Sequence, residues 1–553
     1  MPFRSSHLRR ITASPFHLLT IVVFVGLAVN LLWLARSRGI TQDEVIHIPA
    51  GHYHLFRRDF HINNVTPPTI KILAALPSWI LTKPVLPEIQ PADPNVDYET
   101  RDYQTALNFW RANHARYNTI LFTSRLGAVA VTLALAFVVF SFARQLFGIR
   151  AGWLALTIFA LEPTVLAHGH IVHADMIAAL ALVLFCYVLV KFWKQPDSKH
   201  VMWFGLVTGF ALIAKFTLVA LFGFFVLALV VRWRRSDKSA FKNVAVKCAA
   251  VLLCLFILNA AYFFASRSTE GEPALTNVSK SIATVVPSDY LQGFARLRRI
   301  NQQGHQAFLL GRYSETGWWY YFPVAFGLKT TIAFLLLTLA ATAWGIFCLF
   351  ARRQWRFLPV IAGLLFYLLL LTTSRINIGV RHLLPAFPFL IILGGVFLDR
   401  LVSSQRKLAL ACVAIIIGLM GIEAVRSWPT YMSYMNQFAG GRPHWQYLGD
   451  SNIEWGQDTG ALAAYLNAHG VNRIRGAMLC GEVALPSYGI EYINLLSGNG
   501  ETAPPTEFIA IGANFLNGSL IPGNRNWFET YRNHQPEAVF GDSIYLYRVK
   551  DGP

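Results

Sequence analysis

Long apolar runs recur along most of the chain, and they restrict its fold more than any other feature. A helix that crosses the hydrocarbon core of a bilayer, about 30 Å thick, needs about 20 apolar residues. Only 14% of the 553 residues are charged, whereas a soluble domain has roughly 25%. The runs predict membrane-spanning helices over residues 15–35, 120–143, 151–167, 176–190, 249–265, 330–350, 357–373, 383–398 and 408–425. The sequence therefore predicts a polytopic α-helical membrane protein.

One further apolar stretch, residues 201–231, is interrupted by Lys215. It is compatible with one long tilted helix or with a hairpin of two short passes. Basic residues flank it on both sides: Lys191, Lys194 and Lys199 before it, and Arg232, Arg234 and Arg235 after it. Because short basic loops stay in the cytoplasm, both ends lie inside, which favours the hairpin and about 11 passes in total. This topology predicts a cytoplasmic N-terminus, an external C-terminal region, and Lys215 at the outer apex, where a membrane ammonium is often functional.

The formal net charge of +19 does not indicate a nucleic-acid-binding protein. The basic residues lie between the apolar runs, as expected for loops of a membrane protein. The six cysteines have neither the spacing of a disulfide framework nor that of a zinc site. Nucleic acid is therefore not a predicted partner, and the lipid bilayer is.

Three outer segments are too long to be simple connectors. The tail after residue 427 has the composition of a soluble domain, with a helix predicted over 458–468 and strands over 473–480, 508–511 and 543–548. We therefore predict a transmembrane domain over residues 1–426, with external loops 37–118 and 266–328, and a small external α/β domain over 427–553.

The first outer loop opens with two carboxylates, Asp43 and Glu44. Neighbouring side chains on a helix point about 100° apart, so the two cannot face each other across a bond as a glycosidase pair does. One of them could act as a single general base, with a pKa raised by partial desolvation. The alternative is structural, with Asp43 capping a short helix that ends before Pro49.

Two further polar positions have a functional and a structural interpretation. Lys71 follows the double proline Pro67-Pro68 and would either contact a phosphate or extend to the membrane surface. Asp175 is level with Asp43 on the outer side and would either line a site or cap the next helix. Three histidines precede it, His168, His170 and His173, and their spacing suggests either a metal site or, more simply, polar packing.

Two outer segments near the last helices are rich in aromatic residues or arginine. Residues 311–323 include Arg312, Tyr313 and Trp318, which form either a membrane-interface belt or a shaped site. The loop over 374–382 carries Arg375 and Arg381, although outer loops usually have few basic residues. Guanidinium groups bind phosphate through two parallel hydrogen bonds, so this loop predicts a phosphate contact.

Taken together, these motifs resemble those of the GT-C superfamily, the polyprenyl-phosphate-dependent glycosyltransferases, which includes protein O-mannosyltransferases and lipid A aminoarabinose transferases. The resemblance is carried by Asp43-Glu44, by Pro67-Pro68 with Lys71, by residues 173–176 and 311–329, and most specifically by residues 376–385, INIGVRHLLP. The tail segment 450–458, DSNIEWGQD, is similar to the DSNxDWGQD stretch of many bacterial members, with Glu454 in place of Asp. Thr66 stands where many relatives have Lys, Glu or His.

The resemblance implies a GT-C fold in a bacterial inner membrane and transfer of a sugar from a polyprenyl phosphate to a hydroxyl of a protein or envelope glycolipid. Transfer would occur on the periplasmic face with inversion. Asp43 would be the general base, and Asp175, and Glu44 beside Asp43, would belong to the same site. The implied phosphate-binding residues are Lys71, Arg381, Arg375 and Lys215, and the implied cavity residues are His173, Arg312, Tyr313, Trp318, Asn377 and His382. A divalent metal remains open, since some relatives use one and others do not.

Two other classes of protein share some of these features. A transporter or lipid flippase could use the same charged residues, although transporters usually place charges near mid-membrane and show repeat symmetry. Alternatively, the tail could be a binding module on an inert anchor. The absence of a Gly-rich phosphate loop argues against a nucleotide-sugar donor.

Overall fold

A computed structural model describes residues 15–89, 97–233, 240–264, 282, 284–497, 506–521 and 523–549. Basic residues Arg234 and Arg235, used above to orient the chain, lie outside the described residues, as do residues 266–281 and 283 of the predicted loop 266–328. Before the tail, the helices are α1 (Pro15–Ser37), α2 (Gln42–Arg57), α3 (Thr69–Thr82), α4 (Tyr98–Ala112), α5 (Tyr117–Phe147), α6 (Ile149–Leu161), α7 (Pro163–His168), α8 (Ala174–Lys194), α9 (Ser198–Ala214), α10 (Ala220–Trp233), α11 (Ala240–Ala261), α12 (Ser288–Gln303), α13 (Tyr321–Lys329), α14 (Ile332–Phe350), α15 (Leu358–Thr372), α16 (Phe387–Ser403) and α17 (Lys407–Arg426).

The described helices confirm a polytopic α-helical fold. Within the described ranges, eight helical segments are long and apolar enough to cross a membrane, judged by length and composition. The remaining predicted passes fall on the shorter apolar helices α6, α9 and α10, so a total of 11 passes stays a prediction. Helix α9 ends at Ala214, Lys215 has an extended backbone, and a 3-10 turn over Phe216–Val219 precedes α10. The apolar stretch is therefore broken at Lys215, as the hairpin requires.

The predicted pass over 151–167 is wrong as one continuous helix. Helix α6 ends at Leu161 and the short helix α7 begins at Pro163, with Glu162 extended between them. Proline at the first helical position lacks an N–H that would be unpaired there in any case, and it disfavours helical backbone at the residue before it. Pro163 therefore starts a new helix at this point.

Helix α2 differs from the short, Asp43-capped helix predicted above. Thr41 occupies the N-cap position, and its backbone N–H donates to Glu44 Oε2 at 3.0 Å. The helix also continues through Pro49 to Arg57. Proline inside a helix leaves the carbonyl four residues earlier without its N–H partner. Here the Trp110 indole N–H donates to that carbonyl, Val45 O, at 2.9 Å, and the helix is not interrupted.

The tail contains the α/β elements that the sequence predicts. Helix α18 (Thr459–Ala468) and strands β3 (Arg473–Ala477), β5 (Phe508–Gly512) and β7 (Ile544–Arg548) match the predictions closely. With β4 (Glu491–Asn494) and β6 (Ala538–Phe540) they form a sheet of order β4-β3-β5-β7-β6. Strand β3 is parallel to β4 and β5, and β7 is antiparallel to β5 and β6. A hairpin of β1 (Ala307–Leu309) and β2 (Arg312–Ser314) precedes α13.

The central strand β5 links the tail to the rest of the molecule. Because side chains alternate along a strand, Phe508 and Ala510 pack with Leu462 of α18, while Ile509 and Ile511 join a second cluster that includes Tyr321 of α13. One face of the sheet is therefore covered by its own helix, and the other lies against α13. The division into domains at residue 426 stays a prediction.

Candidate active site

Asp43 and Arg381, 338 residues apart in sequence, form an ion pair. Asp43 lies in the first turn of α2, and Arg381 lies in a 3-10 helix, Val380–Ala386, that leads into α16. The Arg381 Nη1 atom is 2.7 Å from Asp43 Oδ2. Two distant segments that the resemblance assigns to one site are thus joined by a charge-assisted hydrogen bond.

Asp175 extends this pair into a cluster of four charged groups. Its carboxylate contacts the Lys215 ammonium, and its Oδ2 atom is 3.7 Å from Arg381 Nη1. The N-cap of α8 is His173, whose Nδ1 accepts a hydrogen bond from the Asp175 backbone N–H at 3.2 Å. The capping interpretation of Asp175 is therefore wrong. We call Asp43, Asp175, Lys215 and Arg381 the ion cluster.

The four members of the ion cluster differ in accessibility. The Asp43 side chain is 26% exposed, whereas that of Asp175 is 3% exposed. The Arg381 and Lys215 side chains are 9% and 14% exposed. Of the two carboxylates, Asp43 is thus the one that a substrate could reach.

The charge environment of Asp43 reverses the expected direction of its pKa shift. Burial raises the pKa of this carboxyl, but the positive charge of Arg381, with His47 and His173, lowers it below its ordinary value. The expectation of a raised pKa is therefore wrong, because it considered only desolvation. Asp43 is ionised at neutral pH and can accept a proton there.

Glu44 points away from Asp43 into a fully buried pair with Arg125. The Arg125 Nε and Nη2 atoms donate to the two Glu44 carboxylate oxygens at 2.8 and 2.6 Å. The same guanidinium donates to the carbonyls of Ala35, Arg38 and Gly39, at the end of α1 and in the link to α2. The sequence analysis overlooked Arg125, although an arginine inside an apolar helix is itself a signal of a function or a buried partner.

Lys71 lies near the ion cluster but does not extend to the surface. Its side chain is fully buried, and its ammonium donates to the carbonyls of Asn63 and Thr66. The contacts described for Lys71 thus hold the turn that begins at Asn63.

The charge of Lys71 also acts on His47. Burial lowers the pKa of His47 to about 4, against the charge of Asp43, and the charge of Lys71 adds to this lowering.

The remaining predicted residues occupy different places. His382 follows Arg381 in the same 3-10 helix, and the Asn377 side chain accepts from the Trp318 N–H at 2.7 Å. Arg375 is exposed and donates to the Gln302 carbonyl. Arg312 is exposed on β2, and the Tyr313 hydroxyl donates to the Asn517 carbonyl in the tail. The contacts described for Arg375, Arg312 and Tyr313 do not join them to the ion cluster.

The three histidines near α8 make local contacts. His173 Nε2 is 3.1 Å from the His168 carbonyl, and His168 Nδ1 is 2.9 Å from the Thr164 carbonyl. Among the residues that the structure describes, no group of three or more His, Cys, Asp or Glu is placed to hold a metal ion. The Arg381 guanidinium bridges Asp43 and Asp175, so a cation between these carboxylates would have to displace it.

Residues 118–262 match the family model of dolichyl-phosphate-mannose-protein mannosyltransferases. This match confirms the resemblance to the GT-C superfamily. The matched residues, which we call the GT-C match, run from α5 to the end of α11. They therefore include Asp175, Lys215 and Arg125. Comparison with curated protein sequences gives no match.

Comparison with solved structures gives matches at low sequence identity. ArnT from Cupriavidus metallidurans bound to undecaprenyl phosphate is 15% identical, with a TM-score of 0.49 over 95% of this chain and 97% of that one. The Archaeoglobus fulgidus oligosaccharyltransferase in its apo form is 11% identical, with a TM-score of 0.42 over 92% and 71% of the two chains. Archaeal AglB from the same organism, in complex with an inhibitory peptide and a dolichol-phosphate, is 12% identical, with a TM-score of 0.43 over 91% and 70%.

Proposed function

We propose that the chain transfers a sugar from a polyprenyl-phosphate donor to a hydroxyl group of a protein or envelope glycolipid. The reaction takes place on the periplasmic face of a bacterial inner membrane and inverts the anomeric carbon. The GT-C match supports the class of reaction. The observation that carries the proposal is the ion cluster, in which an accessible carboxylate, Asp43, lies against a phosphate-binding type of cation, Arg381.

The reaction needs a base for the acceptor and cations for the leaving group. An Asp43 oxygen takes the hydroxyl proton while the acceptor oxygen forms a bond to the anomeric carbon. The bond from that carbon to the phosphate oxygen breaks on the opposite face, and the electron pair leaves with the polyprenyl phosphate. Arg381 and Lys215 stabilise the charge that develops on the phosphate. Because phosphate is already a good leaving group, the reaction needs no general acid.

The accessibility of the two carboxylates assigns them different roles. Asp43 is more exposed and contacts Arg381 through one oxygen, so it is the base. Asp175 is buried against Lys215 and Arg381, so it holds the two cations close to each other. The two cations and two carboxylates of the ion cluster carry no net charge, so the cluster gains one positive charge when Asp43 takes the acceptor proton, as negative charge develops on the leaving phosphate.

The test compares a deletion strain that carries the wild-type gene, Asp43→Asn or Glu315→Gln. Glu315 is an exposed outer carboxylate and serves as the control. Mass spectrometry of envelope lipids and glycoproteins identifies the sugar-modified acceptor. We expect the rate of sugar transfer to fall at least about 100-fold with Asp43→Asn, because a general base contributes that much or more to the rate. The wild-type rate should be retained with Glu315→Gln.

The same variants distinguish a transferase from a transporter. As a transferase, the purified Asp43→Asn chain still binds undecaprenyl phosphate, because Arg381 and Lys215 are intact, but it transfers no sugar. Sugar transfer at the wild-type rate by Asp43→Asn would refute the assignment of the base. Movement of lipid-linked sugar without any transfer by the wild-type chain would refute the proposed function.

A further inference from the structure

We propose that Ser451 and Trp455 are positioning residues that orient the Arg381 guanidinium for the donor phosphate; this rests on the proposed function. Both residues lie in the tail segment 450–458, which we call the tail motif. It is more than 65 residues from Arg381 in sequence. In this proposal the tail motif is part of the site rather than of a separate binding module.

Two side chains of the tail motif contact Arg381 directly. The Arg381 Nε atom donates to Ser451 Oγ at 3.0 Å, and Ser451 Oγ donates in turn to the Ile378 carbonyl at 2.6 Å. The centre of a Trp455 ring is 4.3 Å from the guanidinium carbon, which is the geometry of a cation–π contact. A hydroxyl and an aromatic face therefore fix the guanidinium while its Nη1 atom contacts Asp43.

Trp455 also contacts the segments that carry the two carboxylates. Its backbone carbonyl accepts a hydrogen bond from the N–H of Gln42, the residue before Asp43, at 2.8 Å. Its ring lies 6.0 Å from the His173 ring, two residues before Asp175, in an edge-on arrangement. One tryptophan thus touches the elements that present Asp43, Asp175 and Arg381.

The tail motif is itself held rigidly by buried polar groups. The Asn452 side chain accepts from the Val380 N–H at 2.9 Å, directly beside Arg381. The Lys329 ammonium donates to the carbonyls of Asn452 and Met432 at 2.5 and 2.6 Å. Because Ser451, Asn452 and Lys329 are all buried, these bonds exchange little with water and keep the motif in place.

Neither Ser451 nor Trp455 is exposed enough to bind the donor itself. Ser451 is fully buried, and 2% of the Trp455 surface is accessible. Their effect must therefore reach the reaction through Arg381. A long arginine side chain has many rotamers, and fixing one of them before the donor binds removes part of the entropic cost of binding.

The experiment uses the purified full-length chain and three readouts. The first is the affinity for undecaprenyl phosphate, and the second is the KM for donor and for acceptor in sugar transfer. The third is the rate at which phenylglyoxal, an arginine reagent, modifies Arg381, followed by peptide mass spectrometry. The variants are Trp455→Leu, Trp455→Phe and Ser451→Ala, with Trp527→Leu as the control, since Trp527 is a half-exposed tryptophan elsewhere in the tail.

We expect Trp455→Leu to weaken undecaprenyl phosphate binding and raise the donor KM by about 10-fold, as for a desolvated cation–π contact. The acceptor KM stays within about 2-fold of wild type. Trp455→Phe, which keeps an aromatic face, recovers most of the loss, and Ser451→Ala gives an intermediate effect. Phenylglyoxal modifies Arg381 faster in Trp455→Leu than in wild type, whereas Trp527→Leu behaves as wild type.

Three outcomes would overturn this inference. One is unchanged binding, donor KM and Arg381 labelling in both Trp455→Leu and Ser451→Ala. Another is a Trp455→Phe variant as defective as Trp455→Leu, which would indicate a packing role only. The third is an equal loss in Trp527→Leu. If wild type transfers no sugar, the proposed function fails, while the labelling of Arg381 still tests the positioning by itself.

Discussion

Replacing Arg125 with methionine should strongly destabilise the chain and loosen the segment that presents Asp43. The Arg125 side chain is 0% exposed, and it donates two hydrogen bonds to Glu44 and three to backbone carbonyls between α1 and α2. All five guanidinium hydrogens therefore have an acceptor. Methionine is similar in length and unbranched, so it fills much of the volume without supplying a single donor.

The magnitude follows from what the substitution leaves behind. Removing one partner of a buried ion pair costs about 3–5 kcal/mol, because the remaining charge is buried without compensation. For Arg125→Met in a chain of 553 residues this corresponds to a fall in the apparent Tm of about 3–4 °C. Glu44→Gln keeps an acceptor for Arg125 and should cost less. In the double variant Arg125→Met with Glu44→Gln no unpaired carboxylate remains. Its loss of stability should therefore be smaller than the sum of the losses in the two single variants.

The assay is thermal unfolding of the detergent-solubilised full-length chain, combined with sugar transfer. Arg150→Met is the matched control, since Arg150 pairs with Asp399 at 3.0 Å while its side chain is 44% exposed. An exposed pair of this kind contributes about 0–1 kcal/mol. Transfer should fall in Arg125→Met and remain in Arg150→Met, because Glu44 is adjacent to Asp43 in α2.

A specific result would refute this reasoning. If Arg125→Met melted within about 1 °C of wild type, as expected only for an exposed pair, the buried pair would not stabilise the link between α1 and α2. Strictly additive losses in the double variant would show that Glu44 and Arg125 do not interact energetically.

Three further predictions concern the tail, the cluster and α2. Burial raises the pKa of Glu454 from an ordinary value of 4.5 to about 8. Between these two pH values the folded chain keeps a proton that the unfolded chain releases, so the free energy of unfolding falls as the pH rises. Melting experiments from pH 5 to 8.5 should show this fall, and Glu454→Gln should flatten it. Because Arg381 bridges the two carboxylates, transfer should persist in EDTA, and loss restored by a divalent metal would contradict this. Trp110→Phe should cost about 1–3 kcal/mol by leaving Val45 O unpaired, and adding Pro49→Ala should recover part of it in melting experiments.

Local sequence patterns predicted most of the secondary structure. Long apolar runs indicated helices such as α5, α14 and α17 within a few residues, because a membrane span depends on the composition of its own segment. The period-2 patterns of the tail likewise predicted β5 and β7. Errors occurred where a single residue changed the local backbone, as at Pro163, or where a distant side chain compensated for one, as Trp110 does for Pro49.

The candidate site was predicted as residue types but not as contacts. Asp43, Asp175, Lys215 and Arg381 were each identified, since charged residues at the edges of apolar helices are uncommon. Arg125 was missed, and the segment 450–458 with Ser451 and Trp455 was identified without a role, because the importance of these residues depends on a partner far along the chain. Arg312 and Tyr313 were predicted to line the cavity, and this stays a prediction: the Tyr313 hydroxyl contacts the tail and Arg312 is exposed.

The amino-acid sequence by itself determined that this chain lies in a membrane, where its helices run and which polar groups stand at their ends. These properties depend on hydrophobicity and turn chemistry within short segments. Only the tertiary structure decided that Arg381 meets Asp43, that Glu44 pairs with Arg125 and that the tail packs on the site. The pKa of Asp43 shows the physical reason: desolvation alone would raise it, but the charge of Arg381, 338 residues away in sequence, lowers it. Electrostatic interactions depend on distance in space, and only the folded chain defines that distance.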